Sequence, residues 1–315
     1  MDKKTSSVAL IVLAAFLWGS SFPAIKVTLG AAENQVSFSF IVSVVRLSVS
    51  AAVGLGAMVA LGRLDSKVFR QPVVWVLGLL NALSYILQHA ALAWTTASKT
   101  SLLINFNIVF VAVLSYIFFR ERLGSRKIAG VLLGISGVVI LETGLDPGFI
   151  SRGEFPGDIL ALVAGLSWSL YIIYTKRAVD SGKDYVDLSV AVIVATLPFL
   201  LLPLPLAELS QPIGTIGWVG ILYLGIVTTL PPLVMWSKAL KNLTATVSSI
   251  LLLLEVLFAV LISIVAIGER FLEVYVLGGA LVLFGGILAT WSQNENRRRG
   301  QPHRAESLGE DVTPP

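Results

Sequence analysis

Ten apolar runs, each long enough to cross a bilayer, constrain this chain more than any other feature. They lie at about 8–29, 37–62, 72–93, 97–119, 128–145, 157–178, 185–207, 214–237, 244–266 and 272–292. A helix needs about 20 mostly apolar residues to traverse the roughly 30 Å hydrocarbon core, and there the backbone must satisfy its own polar groups. No run alternates polar and apolar residues over ten positions, which excludes a membrane β-barrel. Only 13% of the residues are charged against 56% hydrophobic, and a soluble domain carries roughly 25% charged. The expected fold is therefore an all-α membrane protein of ten transmembrane helices. The first run follows Lys3 and Lys4 as a signal peptide would, but it continues past Trp18 and Pro23 without a small-residue cleavage pattern, so it is kept as a span. The seven-residue head and the tail, 293–315, read as solvated and disordered.

Lys and Arg distribute unevenly between the two sides of the ten spans. Eighteen fall on the side of the N-terminus and four (Lys26, Lys99, Arg152, Arg270) on the other; Arg46, inside the second span, completes the 23. Positive charge is retained in the cytoplasm, so both termini are expected there and the protein in the cytoplasmic (inner) membrane. The net charge of +4 is then a topology signal, and no nucleic-acid partner is expected.

The chain also repeats itself. Trp18 and Lys26 recur as Trp168 and Lys176 at an offset of 150. At an offset of 148, Ala91-Leu92 recurs as Ala239-Leu240, Ala97 as Ala245, Ser101-Leu102-Leu103 as Ser249-Ile250-Leu251 and Phe110 as Phe258. Glu121-Arg122 likewise recurs as Glu269-Arg270, and Gly130 and Gly137 as Gly278 and Gly285. The chain divides into five-span halves, residues 1–145 and 150–292. Five is odd, so the halves enter the membrane from opposite sides. Such inverted repeats around a central cavity are a device of secondary transporters, where exchanging the two halves' conformations exposes the cavity to the other side.

These residues resemble the EamA-type transporters of the drug/metabolite transporter superfamily. The resemblance spans about residues 8–292. It rests on Trp18-Gly19-Ser20-Ser21-Phe22, on the repeated Ala-Leu, Ser-Leu-Leu and Phe positions, and on Arg120-Glu121-Arg122 with Gly268-Glu269-Arg270. Two positions depart from the family pattern. Ile108 and Val256 stand where a proline is usual, so spans 4 and 9 are expected to be straighter than in relatives, and Arg120 stands where glycine is usual. The resemblance implies a secondary exporter of small organic solutes, often amino acids or related metabolites.

A solute in such a fold sits near the midplane between the halves. Spans 1 and 6 centre on Trp18 and Trp168, and spans 4 and 9 on Asn107 and Glu255, again related by 148. A carboxylate at a helix centre costs ~2.5–3.5 kcal/mol on insertion scales and must face a cavity or a partner. Glu255 suits proton coupling or an anchor for a substrate ammonium, with a structural hydrogen bond as the alternative. Arg46 is the one basic residue well inside a span; it suits a substrate carboxylate, a structural pair or snorkelling. Asn81, Tyr85 and His89 recur every four residues and share one helix face. With Ser21, Tyr171 and Ser249 they complete the candidate binding set; Ser20, Asn105, Tyr174 and Ser248 are further polar groups within spans. Lys26 and Lys176 end their spans on opposite faces, suited to snorkelling or gating. The Glu-Arg pairs are expected to hold short turns. The small-residue faces of spans 5 and 10 (Gly130, Gly134, Gly278, Gly279, Gly285, Gly286) should pack together or form a homodimer contact.

Other functions fit less well. The chain has no cysteine and two histidines, and HExxH, GxSxG and GxxxxGK[ST] do not occur, so no catalytic metal, nucleophile elbow or P-loop is expected. No cofactor is expected either. Transport would run on a gradient, with protons as possible co-partners, rather than on ATP. An exporter of cationic or amphipathic drugs is the alternative; a channel or a membrane-embedded enzyme ranks below it.

Overall fold

The computed structural model describes residues 3–30, 35–121, 123–146, 148, 155–207, 213–270 and 272–299, and among these every regular element is helical. Thirteen α-helices form ten runs: α1 (Lys3–Leu29), α2 (Gln35–Ala60), α3 (Pro72–Ala91), α4 (Ala97–Asn105) with α5 (Asn107–Phe119), α6 (Ser125–Thr143), α7 (Phe155–Asp180), α8 (Tyr185–Leu201), α9 (Thr215–Ile226) with α10 (Leu230–Leu240), α11 (Ala245–Leu252) with α12 (Leu254–Ile267), and α13 (Val274–Arg299). Eight runs are long and apolar enough to cross a membrane; α8 is apolar but shorter, and α6 carries Arg126, Lys127 and Glu142. Large apolar side chains such as Val265, Val276 and Ile117 point outward, as they must where lipid is the solvent.

Local chemistry sets the helix ends. Thr96 and Thr244, repeat-related at 148, cap α4 and α11 by accepting from Lys99 N and Val247 N, each at 3.3 Å. Asp184 caps α8 through Val186 N and Asp187 N at 2.8 and 3.1 Å. The interruption between α9 and α10 precedes Pro231 and Pro232, which remove two amide donors and crowd the preceding turn. Spans 4 and 9 are not continuous helices. Both break without proline, at Phe106 and Leu253, where amides reach back three residues instead of four: Phe106 N to Leu103 O and Leu253 N to Ile250 O, each at 3.3 Å. Such 3₁₀ tightening bends a helix locally.

The ends of the runs meet at two faces of the bundle. At one, Lys4 Nζ bonds Thr290 O at 2.6 Å, Asn242 Nδ2 bonds Ser7 Oγ at 3.0 Å, and Lys176 Nζ bonds Leu240 O at 2.7 Å. Arg63 also reaches Asp184 and Asp187 there, at 3.0 and 3.2 Å. At the other, Lys26 meets Glu269 at 2.5 Å and Lys99 meets Asp158 at 2.8 Å. So α1 runs from the first face to the second, and α7, its repeat counterpart, runs the opposite way. Packing is reciprocal between the halves. α1 lies against α12 and α10, while α7 lies against α5 and α3; α2 lies against α9, and α8 against α3. α6 and α13 pack on each other. The small-residue faces meet within the chain: a Cβ at Gly137 would lie 2.6 Å from Gly278 O, and one at Gly130 2.9 Å from Gly285 O.

Two terminal expectations change. Helix begins at Lys3, and Lys4 is buried against α13, so residues 3–7 of the expected head are part of the bundle. α13 continues to Arg299, which makes residues 293–299 helical where a disordered tail was expected. They are polar, and the helix continues through them. Residues 300–315 lie outside the described residues.

Candidate functional site

Reciprocal packing brings the repeat-related residues into the same contacts. Ser169 Oγ on α7 bonds the Asn107 carbonyl on α5 at 3.1 Å. Its counterpart on α1, Gly19, sits so close to α12 that a Cβ there would lie 2.7 Å from the Glu255 carbonyl. Trp18 and Trp168, the neighbours of these two residues, then turn towards a common partner. Trp168 stacks on Tyr171 at 4.8 Å, and both rings stack on Trp236 of α10, at 6.4 and 6.0 Å. Trp18 meets Trp236 at 6.3 Å in a tilted arrangement. Trp236 is fully buried and donates its indole N–H to Ser248 Oγ at 2.9 Å.

A polar group adjoins these rings. On α2, Arg46 is buried; its Nη2 donates to Tyr85 Oη at 3.2 Å, its guanidinium lies 5.8 Å from the Tyr85 ring, and its Nε has no hydrogen-bond partner. Tyr85 stacks on His89 at 6.5 Å. Ser39 and Ser43 hold the two ring nitrogens of His89, each at 3.0 Å. Arg46 lies within electrostatic reach of both His89 and Glu255. Glu255 is half-buried, and no hydrogen bond or ion pair among the described residues claims its carboxylate.

The expected site residues divide into two groups. Trp18, Trp168, Tyr171, Tyr85, His89, Arg46 and Glu255 converge. Ser21, Asn81 and Asn107 are engaged elsewhere or locally, and Ser249 has no partner among the described residues. Ser21 Oγ returns to the Trp18 carbonyl at 2.6 Å. Asn81 bonds Thr196 of α8 at 3.1 Å, so the shared face of α3 is divided between α8 and α2. Ser249 is buried with its hydroxyl unpartnered. Asn107 contributes its carbonyl to Ser169. Of the further polar groups, Ser20 bonds Tyr223 at 2.7 Å, and Asn105 bonds back to Ser101 O at 3.0 Å. Where a central cavity was expected, the rings fill the space between α1, α7 and α10. A narrow cleft with no enclosed cavity lies elsewhere, beside both helix breaks, between Leu102, Asn105, Phe106, Ile135, Val138 and Leu253.

The glutamates of both Glu-Arg pairs bond lysines. Glu121 pairs with the buried Lys127 at 2.7 Å, and Glu269 with Lys26; Arg122 lies outside the described residues. Among those residues no group of three or more acidic or histidine side chains is placed to hold a metal.

Trp236 was not anticipated. Repeat register sets Gln88 opposite it, so the duplication offered no partner to point it out.

The side chains gathered here offer ring faces, a carboxylate at Glu255 and a guanidinium at Arg46, and in this conformation the rings themselves occupy the space between the helices.

Comparison with known proteins agrees with this architecture. A model described as the EamA-like transporter family matches residues 5–143 and again 155–291. An uncharacterized transporter, YdfC, of Bacillus subtilis (strain 168) is 27% identical over 296 residues, covering 92% of this chain and 93% of that protein. An uncharacterized transporter of Archaeoglobus fulgidus is 25% identical over 278 residues, covering 88% and 95%. A solved crystal structure of a protein superposes with a TM-score of 0.76 at 23% identity, covering 92% of this chain and 99% of that one. At that identity the likeness concerns the fold.

Proposed function

The chain belongs to the EamA-like transporter family, and on that premise we propose that it is a secondary transporter exporting small organic solutes, amino acids or related metabolites first among them. It works by alternating access in the cytoplasmic membrane, with both termini in the cytoplasm, and it is not an enzyme. The observation that carries this reading is the convergence of Trp18, Trp168, Tyr171 and Trp236 with Arg46 and Glu255, drawn from both halves of the chain.

Two features support alternating access. The repeat-related helices α1 and α7 run in opposite directions, and each packs on the other half. An inverted pair of halves can adopt each other's conformation, which turns one opening into the other. Glu255 supports coupling to protons: among the described residues no hydrogen bond claims its carboxylate, so it can exchange a proton with whichever side the site faces. The transported solute meets Glu255 through an ammonium, Arg46 through a carboxylate and the indole faces through its apolar part.

A second reading, export of cationic amphipathic compounds, is favoured by the same stack of rings beside a carboxylate. Uptake into proteoliposomes of the purified protein, with a labelled amino-acid panel and with or without an imposed pH gradient, separates the two. Saturable uptake with counterflow for some amino acids is the expected result. Absence of uptake for every amino acid by folded protein, with uptake of a quaternary ammonium dye, would move the assignment to the second reading.

A further inference from the structure

The two faces of the bundle carry the same pair of charges in different states. At one face Lys26 Nζ, at the end of α1, lies 2.5 Å from Glu269 Oε1, just past the end of α12, so the bond ties the first half to the second. Repeat register carries Lys26 to Lys176 and Glu269 to Glu121. The same pair therefore exists at the opposite face with the halves exchanged, and there it is not made. Lys176 instead bonds Asp180 at 2.6 Å and the Leu240 carbonyl at 2.7 Å, while Glu121 holds Lys127 at 2.7 Å.

We propose that Lys26–Glu269 and Lys176–Glu121 are exchangeable latches, one at each membrane face, each made as the other is broken. The proposal rests on the transporter reading above. Chemistry at both faces allows the exchange. When the Lys176 latch is open, both its members have partners within their own half or on the neighbouring helix, so no charge is stranded in a buried place. When the Lys26 latch opens, water takes over, because those side chains are 63% and 39% exposed. An exposed ion pair biases an equilibrium by at most about fivefold. That suffices to favour one face and is small enough to be undone in every cycle.

The latches also sit where leverage is greatest. α1 carries Trp18 and packs along α12, which carries Glu255. Parting their ends at Lys26 and Glu269 loosens α1 from α12 towards their contact at Gly19, midway along α1, and Glu255, in the first turn of α12. On the other side α7 keeps its contact with α5 at Ser169 and Asn107 while the Lys176 latch is open, so there only the ends have parted.

Because the chain contains no cysteine, introduced cysteines are its only thiols. Spin labels at Val27→Cys with Val265→Cys report the Lys26 face, and labels at Ile117→Cys with Ser181→Cys report the other; all four positions are exposed and every latch charge stays in place. Distances are measured by pulsed electron–electron resonance in proteoliposomes without added solute. Lys26→Glu, which sets two carboxylates against each other, should enlarge the long-distance population of the first pair by roughly fivefold and the short-distance population of the second by a similar factor. Exchanging the charges, Lys26→Glu with Glu269→Lys, should restore both distributions. Adding Lys176→Gln to Lys26→Glu should cancel the shortening at the second pair.

Unchanged first-pair distances in Lys26→Glu would overturn the proposal, as would lengthening there with no shortening at the second pair. These distances can be read in a protein that transports nothing. Reciprocal distances without solute flux would sink the transporter reading and keep the latches; saturable uptake without reciprocal distances would do the reverse.

Discussion

Glu255 carries a heavy burden for one side chain. Its backbone carbonyl is the surface on which Gly19 of α1 rests, and its carboxylate shares a site with Arg46 and the ring cluster. Glu255→Gln keeps the shape and a hydrogen-bonding end but fixes the group in its uncharged form. If Glu255 carries the coupled proton, a pH gradient should no longer drive transport in this variant: gradient-driven uptake falls by about tenfold or more, while counterflow at equal pH persists. The sign follows from the chemistry. Lowering the pH protonates the carboxyl, so wild type at low pH should approach the variant, and the two should diverge as pH rises. Counterflow assays at several pH values measure this; equal gradient response in both proteins would remove Glu255 from coupling. Much of the residue-level site was legible in the sequence, because a charge or an indole in an apolar run stands out and is expensive to leave unpartnered. Arg46, Glu255, Trp18 and Trp168 were visible for that reason. Small hydroxyls were not separable: Ser21 bonds to its own helix and Ser249 to no other described residue, and their sequence contexts look alike. Trp236 was hidden because Gln88 is its repeat counterpart.

At the scale of elements, the two short ends that follow α5 and α12 test how far the halves share one backbone. In each, the amides of two consecutive residues return to one serine carbonyl: those of Arg120 and Glu121 to Ser115 O, and those of Gly268 and Glu269 to Ser263 O. Arg120 and Gly268 both take the left-handed conformation, at φ 51° and 75°. Glycine adopts it freely, whereas an L side chain pays about 1 kcal/mol or slightly more. Arg120→Gly should therefore raise stability by about 1 kcal/mol, and Gly268→Ala should lower it by about as much. A Cβ at Gly268 would meet no neighbour within 4 Å, so the loss would be conformational alone. Unfolding in mixed micelles reads both. Opposite signs are expected, and a neutral Arg120→Gly would mean that the arginine side chain makes up the difference. The helical runs themselves were legible because a bilayer fixes their length. The breaks at Phe106 and Leu253 were not, since the reach of an amide to the third rather than the fourth residue back leaves no mark in composition. Proline signals such a turn in the sequence, and here the turn forms without it.

For the whole molecule, the seam between α6 and α13 is where the two halves meet on equal terms, each contributing its fifth run. Lipid tails are as apolar as leucine, so this seam gains nothing from excluding water, and its stability comes from close van der Waals contact between backbones. Glycine makes that contact possible. At Gly137 a Cβ would stand 2.6 Å from Gly278 O and 2.7 Å from Val282 Cγ2. Both are closer than atoms tolerate, and the carbonyl belongs to a helix that cannot yield alone. Gly137→Ile adds a branched side chain at the crossing and must push α13 outward along much of its length, loosening Lys4 from Thr290 at the same time. The expected cost is about 3 kcal/mol, seen as a lower midpoint in thermal unfolding of the detergent-solubilised protein and as poorer recovery of monodisperse material. Gly56 supplies the control, because a Cβ there would meet no atom within 4 Å. In the middle of α2, Gly56→Ala should raise helix stability by up to about 1 kcal/mol. A Gly137→Ile protein as stable as wild type would show that α6 and α13 are not the fixed seam of the bundle. The halves would then be free to part there, and the movement at the latches would have to be sought along that seam instead.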